Sequence, residues 1–368
     1  MTRLNMRRRR YGQTSYANDP SLGSDYQESW FKTVYKWLVT IDGDSKLNEE
    51  RGYRSLPYVT NYVFFLGGRL HTLRHKDHIW LLVLAIIVVP MVLFSVFEAN
   101  KLWHTKLGYK ALVFLFYYFW AMSCSFFIRT ATSDAGVLPK NVHLAQLNNR
   151  FQIPQEYHNC VSLPTPSTAR DPLSKVEVKY CTACRIWRPP RASHCSTCGV
   201  CIMTHDHHCF WVNNCIGQRN YRYFIAFLVS AVATALFLIA NCSVHIARSQ
   251  PRRPSRVPVT ILLLTYACLV IWYPAILLGY HIFMTGTQQT TREFLRHVHS
   301  KNPVFTVIRP AEHNPYDTGS FLRNMAHLML QPRGPSAFSA RERHRRGDWR
   351  FVTVPGTHSF EKLHSSQA

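Results

Sequence analysis

Residues 181–224 read CTACRIWRPPRASHCSTCGVCIMTHDHHCFWVNNCIGQRNYRYF, a polar, metal-friendly block set between strongly apolar runs. Seven of the chain's 11 cysteines lie between Cys181 and Cys215, interleaved with His194, His205, His207 and His208. Small secreted domains use dense cysteine for disulfides. CxxC pairs mixed with histidines argue instead for zinc in a reducing compartment. A structural zinc takes four thiolate or imidazole ligands in a closed tetrahedron. Two such sites need eight ligands. Cys181, Cys184, Cys195, Cys198, Cys201 and Cys215, with two of the histidines, supply them. Cys209 is then left over.

A seventh cysteine could also be a ligand or a buried thiol. Asp206 and His207 immediately before it favour chemistry. A free thiol has a pKa of about 8.5, so little of it is ionised at neutral pH. An imidazole can accept the proton, and a carboxylate can fix the ring tautomer and stabilise the imidazolium.

Outside the block, four apolar segments approach or exceed the roughly 20 residues that cross a bilayer: Ile79 to Phe97, Ala111 to Ile128, Tyr223 to Ala247 and Val259 to Met284. IWLLVLAIIVVPMVLFSVF carries no charge until Glu98, which excludes an ordinary soluble core helix. The fold expected is an all-α integral membrane protein with four transmembrane helices and a small cytosolic two-zinc cysteine-rich domain. The expected divisions are a cytosolic N-terminal region 1–78, transmembrane helices 79–128, a cytosolic loop 129–222 with the cysteine-rich domain at about 178–224, transmembrane helices 223–284, and a cytosolic C-terminal region 285–368. Mean hydropathy is only −0.12, because apolar and polar blocks alternate.

The formal charge is +23, from 43 Lys+Arg against 20 Asp+Glu. Basic residues cluster beside apolar blocks, which points to lipid headgroups and phosphates rather than nucleic acid. Most lie in the tails and the central loop. The short connections hold only Lys101, Lys106 and Lys110, and Arg248, Arg252, Arg253 and Arg256. Positive-inside bias favours cytosolic termini and a cytosolic central loop; the arginine-dense 248–256 connection weighs against it, and the zinc and thiol chemistry breaks the tie toward the cytosol. Trp30, Val34, Trp37 and Leu38 recur at helical spacing, as in an interfacial or partner-docking helix or a short core helix.

The block resembles the cysteine-rich domain of the DHHC palmitoyltransferase family. Asp206, His207, His208 and Cys209 form the tetrad, and Trp211, Asn214, Cys215 and Gly217 follow in register. The resemblance implies that Cys181, Cys184, His194 and Cys201 bind one zinc, and Cys195, Cys198, His208 and Cys215 a second. It implies Cys209 as acylated nucleophile, His207 as base and Asp206 as its orienting partner. His205 has no assigned role and is expected to face solvent. The family's TTxE motif matches Thr290, Thr291 and Glu293, where an ordinary capping box would also satisfy the letters. The resemblance implies that this segment packs near Asp206, and that Asn324 holds the fold together. Two positions depart from the family: Ala135 between Asp134 and Gly136, and Phe210 after the cysteine, where proline is common.

The implied donor is palmitoyl-CoA or another long-chain acyl-CoA. A 16-carbon chain is worth about 0.8 kcal/mol per buried methylene, on the order of 12 kcal/mol against exposure. A membrane bundle can shelter it, with aromatic residues of the second and fourth spans as candidate walls. Lys179, Arg185, Arg188 and Arg191, with Trp211, are candidates to contact coenzyme A, or else form a solvated basic face. Segments such as NYVFFLGGRL, FIRTATSDAGVLP and FLRNMAHLML resemble the Ras-acylating members of the family. That implies an endoplasmic reticulum membrane protein, a Ras-type lipidated substrate and a small accessory subunit. The competing classes are a non-catalytic membrane zinc scaffold, which needs no free cysteine, and a transporter or channel, which would line its spans with polar groups.

Overall fold

The computed structural model describes residues 31, 34, 39–41, 61–66, 70–74, 79–104, 107–138, 160–164, 175–248, 258–300, 314–333 and 336. Of the N-terminal helical pattern, Trp30, Trp37 and Leu38 lie outside the described residues; Val34 is helical and exposed. The described arginine of the 248–256 run is Arg248 alone.

Four helical stretches are long and apolar enough to cross a membrane: Ile79–Trp103, Tyr109–Thr132, Tyr221–Arg248 and Pro258–Gly286. The protein is a multi-pass membrane protein of mostly helical architecture. Each stretch outruns the apolar run that marks it. A helix continues until its backbone groups find other partners, and polar residues at its ends do not stop it.

The first span is α1 (Ile79–Phe94), a π-turn (Ser95–Ala99) and α2 (Asn100–Trp103). Pro90 sits inside α1 and has no N–H for the Ile86 carbonyl. The Tyr266 hydroxyl of the fourth span donates to that carbonyl at 2.7 Å. Next to it, Trp120 Nε1 donates to Ile87 O at 3.0 Å. Neighbouring spans thus satisfy backbone that lipid could not.

The π-turn carries Glu98, which is buried. His245 pairs with it, and Thr260 Oγ1 donates to it at 2.9 Å. The one buried acid of this span is therefore closed off by the third and fourth spans.

The second span lies in α3 (Leu107–Thr132) and the third is α4 (Tyr221–Arg248). Phe119 stacks on Phe237 at 5.3 Å, Phe127 meets Phe227 at 5.5 Å, and Asn241 Nδ2 donates to Leu112 O at 3.1 Å. The fourth span is broken into α5 (Pro258–Val270) and α6 (Trp272–Gly286). Pro274 cannot bond the carbonyl four residues back, at Val270, so the turn falls there.

The rest of the described chain caps one end of the bundle. A three-stranded sheet joins β1 (Val39–Ile41), β2 (Tyr62–Phe65) and β3 (Leu70–Leu73). A second holds β4 (Cys160–Pro164), β5 (Lys175–Cys181) and β6 (Ile186–Trp187). Two hairpins follow: β7 (Ser193–Cys195) with β8 (Val200–Ile202), and β9 (His207–Cys209) with β10 (Asn214–Ile216). Helices α7 (Thr291–Ser300) and α8 (Phe321–Leu330) complete the cap. Its core mixes Tyr62 and Leu73 of the first sheet with Val137, Cys195, Cys198, Val200, Ile202 and Cys215.

Candidate active site and Cys-His clusters

Side chains alternate across a strand, and the short strands use this to sort adjacent residues. In β7, His194 is paired with Cys201 and turns to one cluster, while Cys195 turns to another. In β9, His208 is paired with Cys215, while its neighbours His207 and Cys209 share the opposite face. The structure brings Cys181, Cys184, His194 and Cys201 together as one group, and Cys195, Cys198, His208 and Cys215 as a second. Within each group the donor atoms all lie within 4.8 Å of one another.

In the first group His194 Nδ1 is 3.2 Å from Cys184 Sγ and 3.7 Å from Cys181 Sγ. In the second, Cys198 Sγ is 3.4 Å from Cys215 Sγ and 3.5 Å from His208 Nδ1. Cys184 N–H donates to Cys181 Sγ, and Cys198 N–H to Cys195 Sγ, each at 3.4 Å. The residue after each CxxC has positive φ, Arg185 at 55° and Gly199 at 70°. Each CxxC is thus a tight turn whose backbone donor faces a sulfur. Three thiols and one imidazole at these separations fit a tetrahedral zinc donor set.

Cys209 belongs to neither group. It is 5% exposed and packs with Phe127, Ala131, Val212, Ile216, Phe224 and Leu228. Trp80, Val83, Leu84 and Ile87 of the first span and Leu277 and Leu278 of the fourth lie against the same cluster. The sulfur therefore sits where the cap meets the apolar bundle.

On its face of β9, His207 Nδ1 and Asp206 Oδ2 are 2.6 Å apart. Asp206 Oδ1 accepts from Thr291 N–H at 2.8 Å. Burial resists the Asp206 charge, but the His207 hydrogen bond and charge outweigh it and hold the carboxyl at about 2. Burial likewise resists the His207 charge, but Asp206 and the neighbouring Cys209 override it and raise the imidazole to about 10. Asp206 and His207 thus form a charged pair beside the thiol.

The 290–293 segment is a capping box and a site element at once. Thr290 N–H donates to Glu293 Oε2 at 2.9 Å, and Glu293 N–H to Thr290 Oγ1 at 3.2 Å. The cap fixes the start of α7, which aims Thr291 N–H at Asp206. Asn324 Nδ2 donates to Gly286 O at 2.9 Å, and Asn324 Oδ1 accepts from Thr318 N–H at 3.0 Å. It pins α8 to the end of the fourth span.

One expectation is corrected, and one candidate residue is found with partners of its own. His205, expected to face solvent, is 4% exposed, with Nε2 3.5 Å from Cys215 Sγ. Its place one residue before the tetrad puts it inside the cap. Arg191, expected to meet coenzyme A, is engaged within the fold. Its Nε and Nη2 donate to Glu293 at 2.9 and 2.8 Å, and its guanidinium lies 4.5 Å over the Tyr316 ring. Lys179, Arg188 and Arg191 itself line a cavity of about 320 Å³. Lys179 is exposed, Arg185 and Arg188 are half-buried, and Trp211 is 41% exposed, 5.4 Å from Tyr273.

One neighbour of the site has no local sequence signal. His281 of the fourth span is buried, and its ring lies 5.8 Å from that of His207. Its Nδ1 is 3.0 Å from the Tyr221 hydroxyl.

A leftover thiol beside an Asp-His pair, between a two-cluster cap and a four-span bundle, defines a membrane thiol acyltransferase of the DHHC class. The family model for the DHHC palmitoyltransferase matches residues 174–298. The chain is 57% identical to Palmitoyltransferase ERF2 of Saccharomyces cerevisiae, over 99% of both chains. It is 46% identical to Palmitoyltransferase ERF2 of Eremothecium gossypii, over 96% of this chain and 97% of that one. The protein of the same name from Candida glabrata is 53% identical over 85% and 95%. The chain belongs to the DHHC palmitoyltransferase family and is a protein-cysteine S-palmitoyltransferase.

Proposed function

We propose that this palmitoyltransferase carries the acyl group as a thioester on Cys209. The observation that supports it is the placement of that sulfur: outside both donor groups, beside Asp206–His207, and packed against the apolar bundle. The Cys209 thiolate attacks the thioester carbonyl of acyl-CoA. The carbon–sulfur bond to CoA breaks, and CoA leaves as its thiol with the proton taken from Cys209 through His207. The thiolate of a substrate cysteine then attacks the Cys209 thioester, and its proton returns to Cys209. Both steps exchange one thioester for another, so neither needs an external energy source.

The two Cys-His groups would hold one zinc each. Zinc there supplies closed structural coordination that fixes β7 to β10, and with them the tetrad. Lys179, Arg185 and Arg188 would meet the phosphates of CoA, with Trp211 nearby. The acyl chain would run along the first- and fourth-span residues that pack against Cys209. The divisions at 1–78, 79–128, 129–222, 223–284 and 285–368 fit this plan, with both termini and the cap in the cytosol.

The substrate would be a Ras-type lipidated tail, the membrane that of the endoplasmic reticulum, and a small accessory subunit would complete the enzyme. The membrane and accessory-subunit readings rest on the segments that resemble the Ras-acylating members, and similarity to the proteins named ERF2 supports the Ras-type substrate. So does membrane affinity: one lipid chain anchors marginally and a second makes anchoring stable. Incubation of the purified protein with labelled palmitoyl-CoA tests the core of the proposal. Hydroxylamine-sensitive labelling is expected, and its absence with zinc still bound would favour a zinc scaffold.

A further inference from the structure

The second Cys-His group has two buried polar neighbours that neither the coordination nor the acyl transfer uses. One is His205. Its Nε2 lies 3.5 Å from Cys215 Sγ and within reach of Cys195. Its backbone is fixed on the other side, where its N–H donates to Arg191 O at 3.1 Å. The other is Tyr62 of β2, which is 0% exposed and packs among Cys195, Cys198 and Cys215. Its hydroxyl faces Cys198.

Tyr62 comes from a strand about 120 residues before the start of the metal-ligating block, and the cap holds it there from both sides. Asn61 Nδ2 donates to Thr197 O at 3.0 Å, and Asn213 Nδ2 donates to Leu73 O at 2.9 Å. These bonds tie both strands of the β2–β3 hairpin to the second group. Packing alone would be served by phenylalanine at both positions. A buried hydroxyl and a buried imidazole N–H both need acceptors; Cys198 lies beside the hydroxyl and Cys215 Sγ lies 3.5 Å from the imidazole.

Three thiolates and a neutral imidazole leave a zinc centre with a net negative charge. Donors to the sulfurs offset that charge and strengthen the closed site. A thiolate only accepts, so His205 must carry its proton on Nε2 to serve it. That assignment leaves Nδ1 as an acceptor, and Nδ1 has no hydrogen-bond partner among the described residues.

We propose that Tyr62 and His205 are outer-sphere hydrogen-bond donors to the thiolates of the second zinc site, Tyr62 to Cys198 and His205 to Cys215. The N-terminal hairpin is then part of the metal centre, although it contributes no ligand. The inference rests on the zinc reading of Cys195, Cys198, His208 and Cys215.

The test uses the full-length protein in detergent or nanodiscs, with Tyr62→Phe, His205→Phe and His205→Gln. Zinc content is measured first, then the kinetics of zinc release to a chromophoric chelator. The parent and all variants should hold two zinc ions. In Tyr62→Phe and His205→Phe one of the two release phases should accelerate about tenfold or more, while the other stays at the parent rate. His205→Gln, which keeps an N–H, should fall between His205→Phe and the parent. Cobalt-substituted Tyr62→Phe should show its thiolate-to-metal band at lower energy than the parent. Release curves that superimpose on the parent, or two phases accelerated equally, would overturn the proposal. A parent without zinc would instead overturn the zinc reading. Tyr62→Phe removes one oxygen and keeps the ring, so it decides the question even where His205→Phe fails to fold.

Discussion

The backbone N–H of Thr291 donates to Asp206 Oδ1 at 2.8 Å across 85 residues of sequence. The oxygen it leaves free, Oδ2, is the one that faces His207. Thr291 therefore selects which carboxylate oxygen serves the imidazole. Asp206→Asn keeps the shape but removes the charge and leaves an amide that cannot accept at both ends. Autoacylation should fall about 10³- to 10⁴-fold, as when the carboxylate of a catalytic triad is replaced by its amide. Zinc content should stay at the parent value; a parallel loss of zinc would make the effect one of folding.

Arg191, between β6 and β7, ties that connection to α7 through both oxygens of Glu293, and also donates to Gln288 O at 3.0 Å. Arg191→Ala leaves Glu293 and that carbonyl without their partner. A stability loss of about 3 kcal/mol is expected. Arg191→Lys should recover little of it, since an ammonium cannot make the paired contact. Thermal unfolding of the purified variants checks this. A raised KM for acyl-CoA with unchanged stability would return Arg191 to the role of a phosphate ligand.

Gly217 lies where two backbone segments cross. A Cβ there would stand 2.5 Å from Ala135 O and 2.7 Å from Ile202 Cγ2. Backbone cannot step aside as a flexible side chain can. Gly217→Ala should therefore cost at least about 1–3 kcal/mol, and more where the cap cannot shift. It should lower the yield of folded, zinc-loaded protein, with the apolar bundle still inserted in membranes. Near-parent yield and stability would show that the crossing is looser than drawn.

The ionised Asp206–His207 pair has a pH signature. His207 is raised to about 10 against burial by Asp206 and Cys209. Its contribution to stability is full below about 6.5 and is lost as pH rises through about 10. Asp206 is held at about 2, so its contribution is present above about 4 and lost as pH falls through about 2. The difference in unfolding temperature between the parent and His207→Gln should be largest near pH 6. It should shrink steadily toward pH 10. A difference that grows between pH 7 and 9 would contradict the pairing.

Much of this was legible before any coordinates. Charge-free runs such as Ile79 to Phe94 mark membrane helices, because lipid tolerates little else. Cysteine and histidine count and spacing mark two zinc sites' worth of donors, and only the family resemblance divides them; strand alternation in β7 and β9 explains why neighbours such as His194 and Cys195 part company. What stayed hidden depends on contacts between distant segments. Glu293 stands 102 positions from Arg191, and nothing local to either shows that they meet. Tyr62 sits in the segment NYVFFLGGRL and His281 in the fourth apolar run, neither with a role by sequence; only tertiary packing brings them to sulfur and to His207. His205 has no assigned role by sequence and is expected to face solvent. Its burial follows from the β9–β10 hairpin folding back over the second group.

The sulfur of Cys209 carries the whole account, and mass spectrometry of the protein after incubation with palmitoyl-CoA addresses it directly. One added acyl group should map to the peptide holding Cys209, disappear with hydroxylamine, and be absent from Cys209→Ala that still binds two zinc ions. Equal acylation of Cys209→Ala, or an acyl group mapped to another cysteine of the parent, would contradict it.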